Sequence, residues 1–250
     1  MLNASPVDQL RLLDLQAADT RLDQLAHRRR TLPEAKEVAE LAAAAETIAD
    51  EVVVAGTELS DLQQAMAKAE TDVDQVRVRA ARDQQRLDAG AVGSAKELEA
   101  LAHEIGSLAR RQAELEDVTL EVMERVEEAT RRTSAAEAAH RQHGQRLADA
   151  AARRDAALAA LARDEDVVSG GRAELAAALP GDLLALYDKL RVANVGVGAA
   201  ALHQGRCEGC RLQLTSSALA QLRSTPADTV CRCEECGRIL VRTERSGLLA

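Results

Sequence analysis

The chain has 250 residues, a net charge of −9 and an apolar fraction of 46 %. It has no Trp and no Phe, and Tyr187 is its one aromatic residue, which excludes the thick core that aromatic side chains usually fill over the first 186 residues. The acidic balance argues against the whole chain coating nucleic acid, and no stretch approaches the roughly 18 uncharged apolar residues of a membrane span.

About a fifth of the residues are alanine, and alanine and leucine among abundant charge favour long helices packed in pairs. The first six residues show no basic region followed by an apolar run, so no secretory leader is expected and the protein is expected to be soluble and cytoplasmic. Ser5-Pro6 reads as a helix start, with Ser as cap and Pro at the first helical position. Leu15, Ala18, Leu22, Leu25 and Leu32 follow at helical spacing. Pro33 then predicts either a kink or the start of a new helix.

From Val38 the heptad is regular. Leu41, Ala45, Ile48, Val52, Ala55, Leu59, Leu62, Met66, Ala69, Val73, Val76, Ala80 and Leu87 alternate three- and four-residue steps, with Asp83 the one polar intruder. A run of this kind keeps one face against a partner helix. Gly90 and Gly93 break it within residues 88–94, and Ser94 with Glu97 reads as a capping box for the next helix. Leu98, Leu101, Ile105, Leu108, Leu115, Val122, Val126, Ala129, Leu147, Ala150 and Leu161 resume the period, and Ser169-Gly170-Gly171 is expected to end it. Two runs of matched length around a short turn predict a mainly α fold, a long antiparallel coiled-coil hairpin over residues 1–170. A turn centred near Val92 would set Leu87 against Leu98, Leu62 near Val122 and Leu22 near Leu161.

Gln112, Thr133, His140 and His143 are polar residues on the second seam. The two histidines are three apart, but Ala42 and Ala45 are expected opposite them and offer no ligand, so register specification is the reading. The basic clusters Arg28-Arg29-Arg30, Arg110-Arg111, Arg131-Arg132 and Arg153-Arg154 have acids nearby and read as salt-bridged solvent faces. Residues 171–202 form a joint: a short helix over 173–179, a stop at Pro180-Gly181, a second helix capped by Asp182, and a turn over 194–198 entering a strand. Tyr187 is expected to pack there.

Residues 203–250 hold all five cysteines. Cys207 and Cys210 form one Cys-x-x-Cys pair, Cys233 and Cys236 another. Each pair lets two thiolates reach one ion from a tight turn, and two pairs complete zinc's tetrahedron with no open position. One structural Zn²⁺ is expected, without which the small module should not fold. An odd cysteine count clustered in a reducing compartment favours metal over disulfides. Cys231 lies too close to Cys233 for the two-residue loop and is read as a non-ligand. The insert between the pairs is expected to hold a short helix, Gly209 and Gly237 to let the backbone turn, and residues 238–242 to form a strand.

Three stretches carry a family resemblance: Gly205-Arg206-Cys207-Glu208-Gly209-Cys210-Arg211-Leu212-Gln213-Leu214, Cys233-Glu234-Glu235-Cys236-Gly237-Arg238-Ile239-Leu240-Val241, and the joint segment Leu186-Tyr187-Asp188-Lys189-Leu190-Arg191. Lys96-Glu97-Leu98-Glu99-Ala100-Leu101 resembles the hairpin tip of the same proteins. The chain thus resembles the bacterial C4-type zinc-ribbon proteins with an N-terminal coiled-coil hairpin, over nearly its full length. The resemblance implies zinc on Cys207, Cys210, Cys233 and Cys236. Similar proteins in flagellated bacteria act in flagellar regulation, through an alternative sigma factor and flagellin messenger RNA, which implies an adaptor with protein partners in the transcription machinery, or a nucleic-acid-linked protein.

Two functions follow. The first is a non-enzymatic adaptor whose helices and ribbon contact protein partners, as monomer or homodimer. The second is an RNA- or DNA-binding regulator acting through Arg206, Arg211, Arg232, Arg238 and Arg242. Residues 203–246 carry seven arginines and five acids; four thiolates on one Zn²⁺ cancel that small excess, and no aromatic side chain is available to stack bases. An enzyme is not expected, since there is no phosphate loop, nucleophile elbow or carboxylate cluster around an open metal.

Overall fold

The computed structural model describes residues 2–248. Its helices are α1 (Pro6–Arg30), α2 (Pro33–Asp88), α3 (Ala95–Ala177), α4 (Gly181–Ala193) and α5 (Ser216–Ser224); its strands are β1 (Ala199–His203), β2 (Arg206–Cys207), β3 (Cys231–Arg232) and β4 (Ile239–Val241). Two compact units divide the chain: residues up to Ala35 together with those from Ala152 onward, and residues 36–151.

The unit of residues 36–151 is the antiparallel pairing of α2 with α3. Leu41, Ala45, Ile48, Val52, Leu59, Met66, Ala69, Val76, Ala80 and Leu87 are half-buried, and Ala55, Leu62, Val73 and the intruding Asp83 are buried. On α3, Leu101, Ala129 and Ala150 are the buried seam positions. Two bonds show the register directly. Thr133 Oγ1 donates to the Ala55 carbonyl at 3.1 Å, and His143 Nε2 lies 2.8 Å from the Leu41 carbonyl. Both pairings fall within a turn of the expected register. Ion pairs flank the seam, Arg77 with Glu116 at 2.6 Å and Arg132 with Glu58 at 2.9 Å.

Two seam expectations fail. Leu98, expected on the seam, is 48 % exposed. It lies in the first turn of α3, beside the tip. His140, expected on the seam, is exposed, while His143 is half-buried with Nε2 beside the Leu41 carbonyl, in keeping with a residue that specifies register.

In the other unit, Ser5 caps α1 by accepting from the Asp8 amide at 3.1 Å. Thr31 ends that helix and Pro33 begins α2, so the proline starts a new helix rather than kinking one. Leu25, Leu32 and Leu161 form a buried cluster with Ala157, Leu158 and Val168 around it. The expected helix end at Ser169-Gly170-Gly171 is wrong: α3 continues to Ala177. An added Cβ at either glycine would meet nothing within 4 Å, so packing does not require them. Their cost of about 1 kcal/mol each is met by the turn that follows, where Arg172 Nε donates to Asp19 at 2.7 Å and Leu175 and Ala176 pack on the core. Asp182 likewise does not cap α4. The helix begins at Gly181, and Asp182 Oδ1 accepts from the Leu183 amide within its first turn.

The sheet runs β2-β1-β4-β3. β1 and β4 are parallel, with Ala199 opposite Ile239 and Ala201 opposite Val241; the outer strands are antiparallel to their neighbours. Side chains alternate across a strand, and β4 shows the consequence. Ile239 and Val241 enter a core with Leu12 and Leu15 of α1 and with Leu183 and Tyr187 of α4. Leu240 faces the other way, with Ala200, Leu202, Leu214, Leu222 and the cysteines. A three-residue strand therefore ties the helical core to the thiols.

Candidate metal centre

The two Cys-x-x-Cys pairs leave the sheet as matching loops. In the first, the Arg211 amide donates to the Cys207 carbonyl at 2.7 Å and the Cys207 amide to the Leu212 carbonyl at 3.0 Å. In the second, the Gly237 amide donates to the Cys233 carbonyl and the Cys233 amide to the Arg238 carbonyl, both at 2.9 Å. Each loop reverses through a left-handed residue, Arg211 at φ 63° and Gly237 at φ 71°. Gly237 meets the expectation for glycine. Gly209 does not turn the chain: a Cβ there would come 2.8 Å from Arg238 Cδ and 3.0 Å from the Ala200 Cβ, so that glycine permits close approach.

These loops face each other. Cys207 Sγ and Cys236 Sγ are 4.0 Å apart, Cys210 Sγ and Cys233 Sγ 3.9 Å, and all four sulfurs lie within 4.8 Å of one another. Zinc at about 2.3 Å from four tetrahedral sulfurs requires sulfurs roughly 3.8 Å apart, so the cluster fits the ion in number, chemistry and spacing. Cys231 stands outside it, its Sγ 3.6 Å from the Thr229 carbonyl.

Electrostatics point the same way. Burial pushes the Cys207 thiol up to about 12, although the amides of Cys210 and Gly209 donate to its sulfur. Burial also raises Cys233 against the matching amides of Cys236 and Glu235. At Cys236 burial acts in the same sense but is outweighed by the amide and guanidinium of Arg238 and by neighbouring thiols, which hold it down to about 7. Four thiolates so close need a compensating charge, and a bound dication supplies one.

Four of the five candidate contact arginines direct guanidinium N–H groups at backbone carbonyls. Arg206 Nε donates to Arg211 and Arg232 Nε to Gly237, each at 2.7 Å. Arg238 donates from Nε to Val197 and from Nη2 to Asn194, both at 3.1 Å. Arg242 gathers the carbonyls of Leu222, Thr225, Pro226, Ala227 and Thr229 at 2.7–3.3 Å, fixing the segment after α5. Arg206, Arg211 and Arg232 are exposed; Arg238 and Arg242 are half-buried.

Sequence reasoning missed a buried polar knot at the base of α1. Asp19, 1 % exposed, accepts from Arg172 Nε at 2.7 Å and from the Tyr187 hydroxyl at 2.7 Å. Arg191 Nε lies 3.3 Å from Asp19 Oδ2 as an ion pair without hydrogen-bond alignment. Gln16 Oε1 accepts from the Gly198 amide at 2.7 Å, and Gln16 Nε2 donates to the Gly196 carbonyl at 2.9 Å. Burial and the Asp19 carboxylate raise the Tyr187 hydroxyl above its ordinary range. The only signal available beforehand was the lone aromatic itself.

Comparison with known proteins agrees with this architecture. Residues 15–195 match the family model of the CT398-like coiled coil hairpin domain, and residues 206–240 that of the C4-type zinc ribbon domain. An uncharacterized protein of Mycobacterium tuberculosis is 37 % identical over 243 residues, 97 % of this chain and 98 % of the relative. A solved structure from Mycobacterium smegmatis has 36 % identity and a TM-score of 0.80, covering 97 % of this chain and all of that one. CT398 from Chlamydia trachomatis has a TM-score of 0.62 at 16 % identity, over 94 % of this chain and 98 % of its own, a likeness in fold alone.

Proposed function

The chain belongs to the CT398-like coiled-coil hairpin family, and from that premise we propose that it is a non-enzymatic adaptor, with a hairpin over residues 1–170, a joint over 171–202 and a ribbon over 203–250. Zinc is assigned to Cys207, Cys210, Cys233 and Cys236 as a structural ion. The observation that carries this reading is the closed donor set: four sulfurs within 4.8 Å of one another fill zinc's coordination and leave no position for water or substrate. Among the described residues no helix is long and apolar enough to cross a membrane. The helices of residues 36–151 present charged faces on which Val53 with Val54, and Val118 with Leu120 and Met123, stand exposed, and these apolar groups support contact with a protein partner.

Nucleic-acid binding through the ribbon is the second reading. What favours it is the exposure of Arg206, Arg211 and Arg232 beside the two loops. The test is affinity capture of the full chain from its own lysate, with and without nuclease. Protein partners that persist after nuclease support the adaptor. RNA or DNA that is recovered, and then lost at raised salt and on substitution of Arg211, overturns it in favour of the second reading.

A further inference from the structure

The two metal loops are the same device used twice, down to a side chain outside the ligand set. Arg206 precedes Cys207 and Arg232 precedes Cys233. Each sends its Nε–H across its own loop to the carbonyl of the left-handed residue five positions on, Arg211 in one case and Gly237 in the other, and both bonds measure 2.7 Å. The backbone bonds beneath them also correspond one to one. So do the amides aimed at sulfur, from Gly209 and Cys210 onto Cys207 and from Glu235 and Cys236 onto Cys233. The first intervening residue is an exposed Glu in both loops, Glu208 and Glu234, while the second differs, Gly209 against Glu235, as do the turning residues. The arginine and its carbonyl form the side-chain bond across the loop that both have in common.

We propose that Arg206 and Arg232 are paired positioning residues for the zinc ion, each clasping one Cys-x-x-Cys loop shut at its open end. A left-handed residue turns its carbonyl out of the loop's own hydrogen bonding; the guanidinium supplies the donor and ties that end back to the strand residue before the first cysteine. Glu208, Glu234 and Glu235 adjoin the ligands as well and offset the arginines in charge, so the clasp acts through its hydrogen bond across the loop. Groups that orient the ligands of a centre tune how tightly it holds metal. This inference rests on the zinc assignment above and gives the two arginines a role independent of any partner.

The test uses full-length, zinc-loaded protein. Zinc release to excess chromogenic chelator is followed for Arg206→Met and Arg232→Met, which keep the apolar stem and remove donor and charge, and for Arg223→Met on exposed α5 as a control. Each clasp variant is expected to release zinc about tenfold faster, the two by similar factors, with the control unchanged. Arg206→Lys and Arg232→Lys, which restore charge and a donor, are expected to recover most of the loss. Cobalt-substituted clasp variants are expected to show shifted ligand-field bands. Wild-type release and spectra in both Met variants would overturn the proposal, as would an equal acceleration in Arg223→Met. If a Met variant purifies without metal, its affinity on refilling decides: weaker than wild type supports the clasp, equal to it overturns it. A wild-type protein lacking zinc would overturn both this inference and the zinc assignment, whereas zinc-loaded wild type with unaffected Met variants overturns the clasp alone.

Discussion

The hydroxyl of Tyr187 donates to Asp19 at 2.7 Å from a side chain that is itself fully buried. The one aromatic residue of the chain thus does two things at once. Its ring packs with Leu12, Leu15 and Leu183, and its polar end completes a carboxylate that also receives Arg172 and Arg191. The knot joins α1, the last turns of α3, and α4, the elements on which the parallel pair β1 and β4 rests.

Tyr187→Phe keeps the ring and removes one bond to a charged acceptor, which should cost about 1.5–3 kcal/mol. Asp19→Ala takes the buried carboxylate from Tyr187, Arg172 and Arg191, although Arg172 keeps Asp188 at 3.5 Å and Arg191 keeps Asp23 at 3.0 Å. Removing one partner of a buried pair costs about 3–5 kcal/mol where the other charge is left uncompensated; since both arginines keep a second carboxylate and roughly a quarter of their side-chain surface in water, the lower end is expected. Urea denaturation followed at the ribbon end should rank the variants in that order; an Asp19→Ala protein as stable as wild type would show the knot to be energetically idle.

The seam was legible because a heptad is a repeated, local signal, and the thiol site because four identical ligands at fixed spacing admit few geometries. What the sequence hid were single side chains that bond to distant backbone. Nothing local tells that Arg172 reaches Asp19 and holds Gly170-Gly171 in helix. The five carbonyls gathered by Arg242 were equally hidden, because an arginine's partners are set by the fold around it. Arg211 shows the same limit in backbone form, as a left-handed conformation at a residue that does not advertise it.

Metal removal should act on one unit only. Stripping zinc with a chelator should unfold the ribbon, whose small core packs directly on the cysteines, while far-UV dichroism keeps most of its helical signal from α2 and α3. Cys231→Ser should retain one zinc per chain and Cys233→Ser should lose it. Zinc lost with Cys231→Ser would reassign the ligand set.

The two loop glycines should fail differently when given a side chain. At Gly209 an added Cβ meets Arg238 Cδ at 2.8 Å and the Ala200 Cβ at 3.0 Å. Arg238 is anchored at both Val197 and Asn194, and Ala200 is fixed in β1, so neither yields readily. Overpacking of this kind costs about 1–3 kcal/mol for alanine and more for anything larger. At Gly237 the obstacle is conformational: φ is 71° and the nearest atom, Arg232 Nη2 at 3.1 Å, is the end of a flexible chain. An L-residue there costs about 1–2 kcal/mol, and asparagine, which tolerates the left-handed region, should recover part of it. The converse holds at Arg211, where glycine removes the same strain at φ 63° while leaving the carbonyl that Arg206 holds. Denaturant-induced zinc loss should therefore come earlier for Gly209→Ala, earlier still for Gly209→Asn, earlier for Gly237→Ala than for Gly237→Asn, and later for Arg211→Gly. Equal effects of Ala and Asn at both positions would show that crowding and backbone conformation are not separable in these loops.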